Sequence, residues 1–405
     1  MATLFVTLIS SSAHAAQTPR EIEITPTVLA ETPAFVTPVV VPGALCAAVS
    51  DAASLLVVGH RAVSNQHLAV FKLDADGRPA GAPLRVTLPK PAVLATNSNY
   101  PLGLLFHPRL PILYVWQDVN APPADQQEKH AAFTNYLEFE HLLIFAVTNG
   151  GLELLQTAAH GAGFHCGLGG GTIGLDFDAK TLFVPNAVGG TWDESGIGYY
   201  ALDEQGLPQN PDKLDGATPK PRKTPVPLAK TRTERTLATL QRKRTHRYYP
   251  SGAGWVAGRD AMIMGGYSGC LVADFPQGNL RQAWFNLPDA IGNCIVGGHP
   301  SAPAIYLSLL NTSRLFQIGH ADGYVSLLPH TAVAKGAQLT GAPVVLTRQA
   351  RVAVGAGRAV VLFGLQPDGR FDGKAEQFAV PSATVRSLAY AEKLGRLYVP
   401  VERGN

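Results

Sequence analysis

One phrase recurs along this 405-residue chain and constrains its fold more than any other feature. It is a short apolar run, a polar turn, then a second apolar run. Clear copies occupy residues 102–116, 172–184, 295–309 and 385–399, and fainter ones begin near Gly43, Gly252 and Gly341. A second phrase follows the first: an apolar strand that closes on a polar turn. It appears as residues 68–73 before Asp74-Ala75-Asp76-Gly77, 199–202 before Asp203-Glu204-Gln205-Gly206, and 360–365 before Gln366-Pro367-Asp368-Gly369. Residues 315–318 before Gly319-His320-Ala321-Asp322-Gly323 match as well. Asp and Asn bond to nearby backbone and Gly supplies positive φ, so these are hairpin turns. Each repeat therefore holds four short strands in two hairpins. The shortest repeats run about 40–47 residues, a blade length of four-stranded propellers. The expectation is an all-β fold, a seven-bladed β-propeller of four-stranded antiparallel blades. A β-sandwich is the alternative, but it does not account for the self-similarity.

The last copy stops after its second strand, while residues 21–41, rich in Val, Ile and Thr, precede the first copy. Pairing the two chain ends supplies the missing strands and removes exposed edges; a truncated gene product is the rival explanation. Two insertions interrupt the period, at about 118–140 and 208–249. Within the second, residues 217–247 hold ten of the 33 basic residues and one of the 30 acidic ones, leaving 23 and 29 elsewhere. The body is thus mildly acidic beside one basic loop. That loop reads as a solvated segment, or alternatively as a lid or a patch for an anionic partner.

Residues 1–15 read as a signal peptide: an apolar run, Ser10 to Ser12, then Ala13-His14-Ala15 as a cleavage pattern, although no Lys or Arg precedes the run. Periplasmic or secreted localisation follows, with residues 16–405 as a single domain. Once the leader is removed, no stretch reaches the ~18 apolar residues of a membrane helix. Cys46, Cys166, Cys270 and Cys294 form no C-x-x-C pair and read as buried free thiols. No metal site is expected, since zinc spacing is absent and Asp74-Ala75-Asp76-Gly77 lacks the rest of a calcium loop. Gly169, Gly171 and Gly174 match G-x-G-x-x-G, but a strand follows where a dinucleotide site needs a helix, so no cofactor is expected.

Candidate site residues follow from the repeat register. In a four-stranded blade the start of the first strand and the connection between the second and third meet at one mouth of the channel, where loops present function. His60, Arg61, Asn99, Tyr100, Asp118, His165, Asn186, Glu194, Tyr249, Tyr267, Asn293, Asn311 and Arg386 sort to that face. Titratable groups, amides and aromatics together can bind a polar small molecule and move protons. His165 or Glu194 is the candidate base, and Arg61 or Arg386 the candidate holder of a developing oxyanion. The others are binding candidates. His107 and His299, each standing before Pro in the short first hairpin turn on the opposite face, read as turn residues, as do His320 and His330.

Leu113-Tyr114-Val115, Leu182-Phe183-Val184-Pro185-Asn186 and Leu397-Tyr398-Val399 resemble the repeat phrase of the bacterial YVTN and lactonase-like propellers. The turns at residues 73–79 and 365–371 resemble that family's outer-hairpin turn. The resemblance covers most of the chain after Gly43, as a diffuse repeat. It implies a seven-bladed propeller, and some members hydrolyse sugar lactones such as 6-phosphogluconolactone. That family's acidic, Arg and His site has no local motif here, so the resemblance supplies no catalytic residue. Three functions stand: a lactonase-type hydrolase acting on a small polar molecule, a non-enzymatic propeller binding a protein or cell-surface ligand, and, more weakly, a quinone-dependent dehydrogenase. No nucleic-acid partner is expected, and a monomer is.

Overall fold

The computed structural model describes residues 20–60, 67–89, 99–119, 139–149, 151–159, 173–176, 178–187, 195–211, 216–217, 253–255, 261–266, 269–274, 281–286, 294–300, 302, 304–321, 324–380 and 384–401. These form seven sheets and no α-helix; the one helical turn is a 3-10 segment, Thr347–Gln349. Along the chain, sheet one contains Ala44–Ser50, Leu55–His60, Leu68–Lys72 and Leu84–Val86. Sheet two contains Asn99–Phe106, Ile112–Val119, Phe139–Thr148 and Gly151–Ala159. Sheet three is Gly174–Leu175, Thr181–Ala187, Ser195–Ala201 and Gly216–Ala217. Sheet four is Ala253–Trp255, Ala261–Gly266, Gly269–Asp274 and Arg281–Asn286. Sheet five takes Cys294–Gly298, Ala304–Leu309, Arg314–Ala321 and Tyr324–Ala334, and sheet six Val344–Leu346, Arg351–Ala356, Ala359–Leu365 and Phe371–Ala379. Sheet seven begins with Ala389–Ala391 and Arg396–Val401.

Consecutive strands pair antiparallel within each sheet, as two successive hairpins require. The first strands of neighbouring sheets lie side by side: sheet one against two, three against four, four against five, five against six, six against seven, and seven against one. The sheets pack face to face. On Leu55–His60, Leu55 and Val57 face sheet two with Cys46, Leu113 and Val115, whereas Leu56 and Val58 face sheet seven with Ala389 and Tyr398. Both faces of such a strand are buried, so alternation vanishes and the sequence shows a continuous apolar run. This is a propeller-like arrangement.

The outer-hairpin turns are made by local hydrogen bonds. Asp74 Oδ1 accepts from the backbone N–H of Asp76 (3.0 Å) and Arg78 (2.8 Å), and Asp203 Oδ1 accepts likewise from Gln205 (2.9 Å) and Leu207 (2.8 Å). Gly77 and Gly206 hold φ of 73° and 79°, where a side chain is strained. The turn at Gly319 to Gly323 departs from the sequence reading. There the strand continues through His320 to Ala321, and His330 lies within the next strand, opposite Arg20. Neither histidine is a turn residue; the apolar run simply extends further than its glycines suggested. His107 and His299 are turn residues. His107 Nδ1 accepts from the N–H of Arg109 (3.1 Å) and Leu110 (2.9 Å), and His299 Nδ1 from that of Ala302 (2.9 Å).

The N-terminal segment crosses the outside of three sheets. Arg20–Ile24 adds parallel to Tyr324–Ala334, and Thr27–Val28 adds parallel to Phe371–Ala379, making each a five-stranded sheet. Val36–Val40 then pairs parallel with Arg396–Val401 and supplies the third strand of sheet seven. The two chain ends thus meet in one sheet. The insertion after Asp118 begins later than the sequence suggested, since Asp118 itself is in a strand; likewise Gly216–Ala217 is the fourth strand of sheet three, not part of a loop.

Candidate functional site

Tight backbone contacts fix the segment that carries Arg386. The Val385 N–H donates to Gly357 O (2.8 Å), and Thr340 Oγ1 donates to Val385 O (2.6 Å). A Cβ on Gly341 would stand 2.8 Å from Arg386 O, so only glycine lets sheet six approach here. Arg386 is half-buried, just before the first strand of sheet seven. Asn311 sits in the connection between the second and third strands of sheet five. It is exposed, with φ of 61°, and its N–H donates to Leu339 O (2.8 Å). Asn readily takes this left-handed conformation.

Asn99, Tyr100 and Asp118 are brought together at one end of sheet two. Tyr100 pairs with Asp118, and Asn99 with Val119. Asp118 is also opposite Glu140 on the third strand. Asn186 stands opposite Gly196 near the corresponding end of sheet three. His165, Glu194, Arg61, Tyr249, Tyr267 and Asn293 lie outside the described residues.

His60 is the site residue with the most developed surroundings. It ends the second strand of sheet one and is 5% exposed. Its N–H donates to His67 O (2.9 Å), so the two histidines flank the connection to the third strand. Arg85, on the short outermost strand, places Nη1 3.2 Å from His60 Nε2. A guanidinium only donates, so His60 Nε2 accepts and its proton is on Nδ1. Burial first, then Arg85, then His67 push the His60 pKa down to about 4. Burial also lowers that of His67, whose Nδ1 accepts from Leu88 N–H (3.1 Å). Both rings are therefore neutral at pH 7. His60 is too weakly basic to be an efficient general base there, and its chemistry is that of a binding residue.

Sequence reasoning placed His60 at this face and missed His67 and Arg85. The available signal was symmetry: His60 and His67 bracket one connection, and Arg85 interrupts an otherwise apolar strand. Among the described residues, no three His, Cys, Asp or Glu side chains gather to hold a metal, and no helix is long and apolar enough to cross a membrane. Cys46 is a buried free thiol whose pKa burial pushes up to about 12.

No family model matches the chain, and no curated protein matches it in sequence. Solved structures do share the fold. A candidate 6-phosphogluconolactonase from Bacteroides uniformis is 12% identical with a TM-score of 0.54, covering 85% of this chain and 87% of that one. A second, from Bacteroides fragilis, is 13% identical with a TM-score of 0.54, over 86% and 88%. The WD40 repeats of RRP9 are 10% identical with a TM-score of 0.50, over 89% of this chain and 88% of that one. At such identities the likeness establishes a propeller fold alone.

Proposed function

We propose that this chain is a seven-bladed propeller, one blade per sheet, that hydrolyses a sugar lactone or similar small polar ester at its channel mouth. What carries the reading is the likeness, over most of both chains, to two solved structures of candidate 6-phosphogluconolactonases. It is supported by the repeat register of the sequence, which sorts the polar candidates to one mouth of the channel. The reading includes export to the periplasm or cell exterior, and action as a monomer.

In the reaction, His165 or Glu194 takes a proton from water as it attacks the lactone carbonyl. Arg61 or Arg386 stabilises the oxygen that becomes negative. His60 and the amides Asn99, Asn186, Asn293 and Asn311, with Tyr100, Tyr249, Tyr267 and Asp118, orient the hydroxyls of the substrate. Collapse of the tetrahedral species breaks the ring C–O bond, the base returns its proton to the departing oxygen, and an acid and an alcohol are left.

The test is a lactone panel assayed with the wild type and with His165→Gln, folding being checked separately. Turnover by the wild type and a loss on the order of 10²–10⁴ in the variant is the expected result. Unchanged turnover in the variant rejects His165 as the base. No turnover of any lactone by the wild type rejects the hydrolase and leaves a binding propeller.

A further inference from the structure

The donors around His60 outnumber the acceptors. His60 Nε2 takes a hydrogen bond from Arg85, which puts its proton on Nδ1. His67 Nδ1 takes one from Leu88 N–H, which puts its proton on Nε2. Neither ring N–H is a buried orphan, and neither has a protein acceptor among the described residues. Arg85 is exposed and makes no ion pair with a carboxylate among them; four of its five N–H groups remain to be used.

The register turns these groups to one side. Val58, Ala69 and Arg85 lie in one cross-strand row, and Val58 and Ala69 face sheet seven. Two residues along the strand from Val58, His60 points the same way, with His67 beside it. The three side chains therefore stand at the edge of the seam where the last sheet meets the first. His60 ends the second strand, opposite Ala44 of the first; His67 immediately precedes the third strand and Arg85 is on the fourth, so the group runs outward from the mouth end of sheet one.

We propose that His60, His67 and Arg85 form a binding site for a small oxyanion, of the phosphate or carboxylate class, at the outer edge of this seam. Two imidazole N–H groups and a guanidinium fork offer donors and one positive charge, with no carboxylate paired to them among the described residues. Arginine beside neutral donors suits an oxyanion because the fork matches two oxygens at once. The His60 hydrogen bond holds the guanidinium in place before the ligand arrives, which lowers the ordering cost of binding. The positive field of the guanidinium reaches His60, whose pKa is lowered by burial first and then by Arg85. A bound anion reverses that field.

The full chain is titrated at pH 7 with inorganic phosphate and, in parallel, with acetate, against chloride at equal ionic strength. Thermal unfolding and the histidine ring resonances are followed. The expected result is saturable stabilisation at pH 7 and, in a pH titration of the ring resonances with and without phosphate, a His60 midpoint raised above its ligand-free position of about 4. Arg85→Gln is expected to weaken binding about ten- to a hundredfold, since a charge-assisted hydrogen bond is lost. Arg85→Lys keeps the charge without the fork and is expected to fall between. Phosphate alone binding identifies a phosphate site, and both ions binding identifies a general oxyanion site. Absence of saturation by either ion overturns the proposal, as does equal binding by Arg85→Gln. Because Arg85 is exposed, its variants keep the core, and a loss of binding is not confused with a loss of fold.

Discussion

At the scale of single residues, the histidines make this protein acid-sensitive. His60, His67, His107 and His299 all have pKa values lowered from 6.5, burial being the first cause in each, and all use a ring nitrogen as an acceptor. The unfolded chain takes up protons on these rings at a higher pH than the folded one does. Their contribution to stability is therefore complete above about 6.5 and is lost as the pH falls toward the folded values, about 4 for His60. Thermal unfolding measured across pH 7 to 4 is expected to show a falling midpoint. His60→Gln is expected to flatten part of that slope, and an unchanged slope in the variant would show that His60 does not contribute. The structural role of His107 and His299 is legible in the sequence, because their turn bonds reach only two or three residues along the chain. The partner of His60 is 25 residues away on another strand, and nothing local announces it.

At the scale of elements, one contact repeats between sheets. Tyr114 Oη donates to Gly206 O (2.8 Å), Tyr306 Oη to Gly369 O (2.5 Å) and Tyr398 Oη to Gly77 O (2.7 Å). Each tyrosine is on a second strand, and each glycine closes the outer-hairpin turn of the next sheet. Sheet three has Phe183 at the equivalent position and lacks the hydroxyl. Burial raises the pKa of all three phenols, so they remain donors at any working pH. Tyr114→Phe and Tyr398→Phe each leave a buried carbonyl without its donor, at a cost of about 1–3 kcal/mol in urea unfolding, whereas Tyr306→Phe is expected to cost less because Gln317 Nε2 also donates to Gly369 O. A cost near zero in all three would mean that water replaces the hydroxyl. Gly206→Ala is expected to cost more than the usual ~1 kcal/mol of a strained φ, because its Cβ would stand 3.1 Å from Tyr114 Oη and from Leu110. The two phrases that carry this contact were legible in the sequence, but not that the tyrosine of one repeat binds the glycine of the next.

At the scale of the molecule, the N-terminal segment acts as a strap. Ile24 is buried with Ala332, Ala334 and Phe371 between sheets five and six, and Leu29 and Phe35 pack against the core shared by sheets six and seven. Glu21 pairs with Arg314 (2.9 Å) and Glu23 with Lys335 (2.6 Å), but both pairs are at the surface and contribute little. Apolar burial and parallel pairing are what hold the strap. Ile24→Ala is expected to destabilise by about 2–5 kcal/mol in urea unfolding. Deleting residues 20–31 removes the fifth strands of sheets five and six. It is expected to lower the unfolding temperature while leaving amide exchange slow in Arg396–Val401. Deleting residues 20–41 also removes the third strand of sheet seven, and fast exchange in Arg396–Val401 is then expected. Slow exchange there in the longer deletion would show that the seam holds without the strap.

The sequence by itself determined that the chain is all-β, repeats an apolar strand, polar turn and apolar strand, and turns at particular Asp and Gly residues. These properties depend on groups within a few positions of one another, such as Asp74 and Arg78, four apart. Tertiary structure alone decided which repeat touches which. It set the strap across sheets five and six in addition to seven, and joined Tyr398 to Gly77 across 321 residues. The same holds for the site at His60. The physical reason is that a repeated apolar strand can pack on any copy of itself, so pattern fixes the kind of neighbour, and only closure of the sheets into one body selects which copy it is.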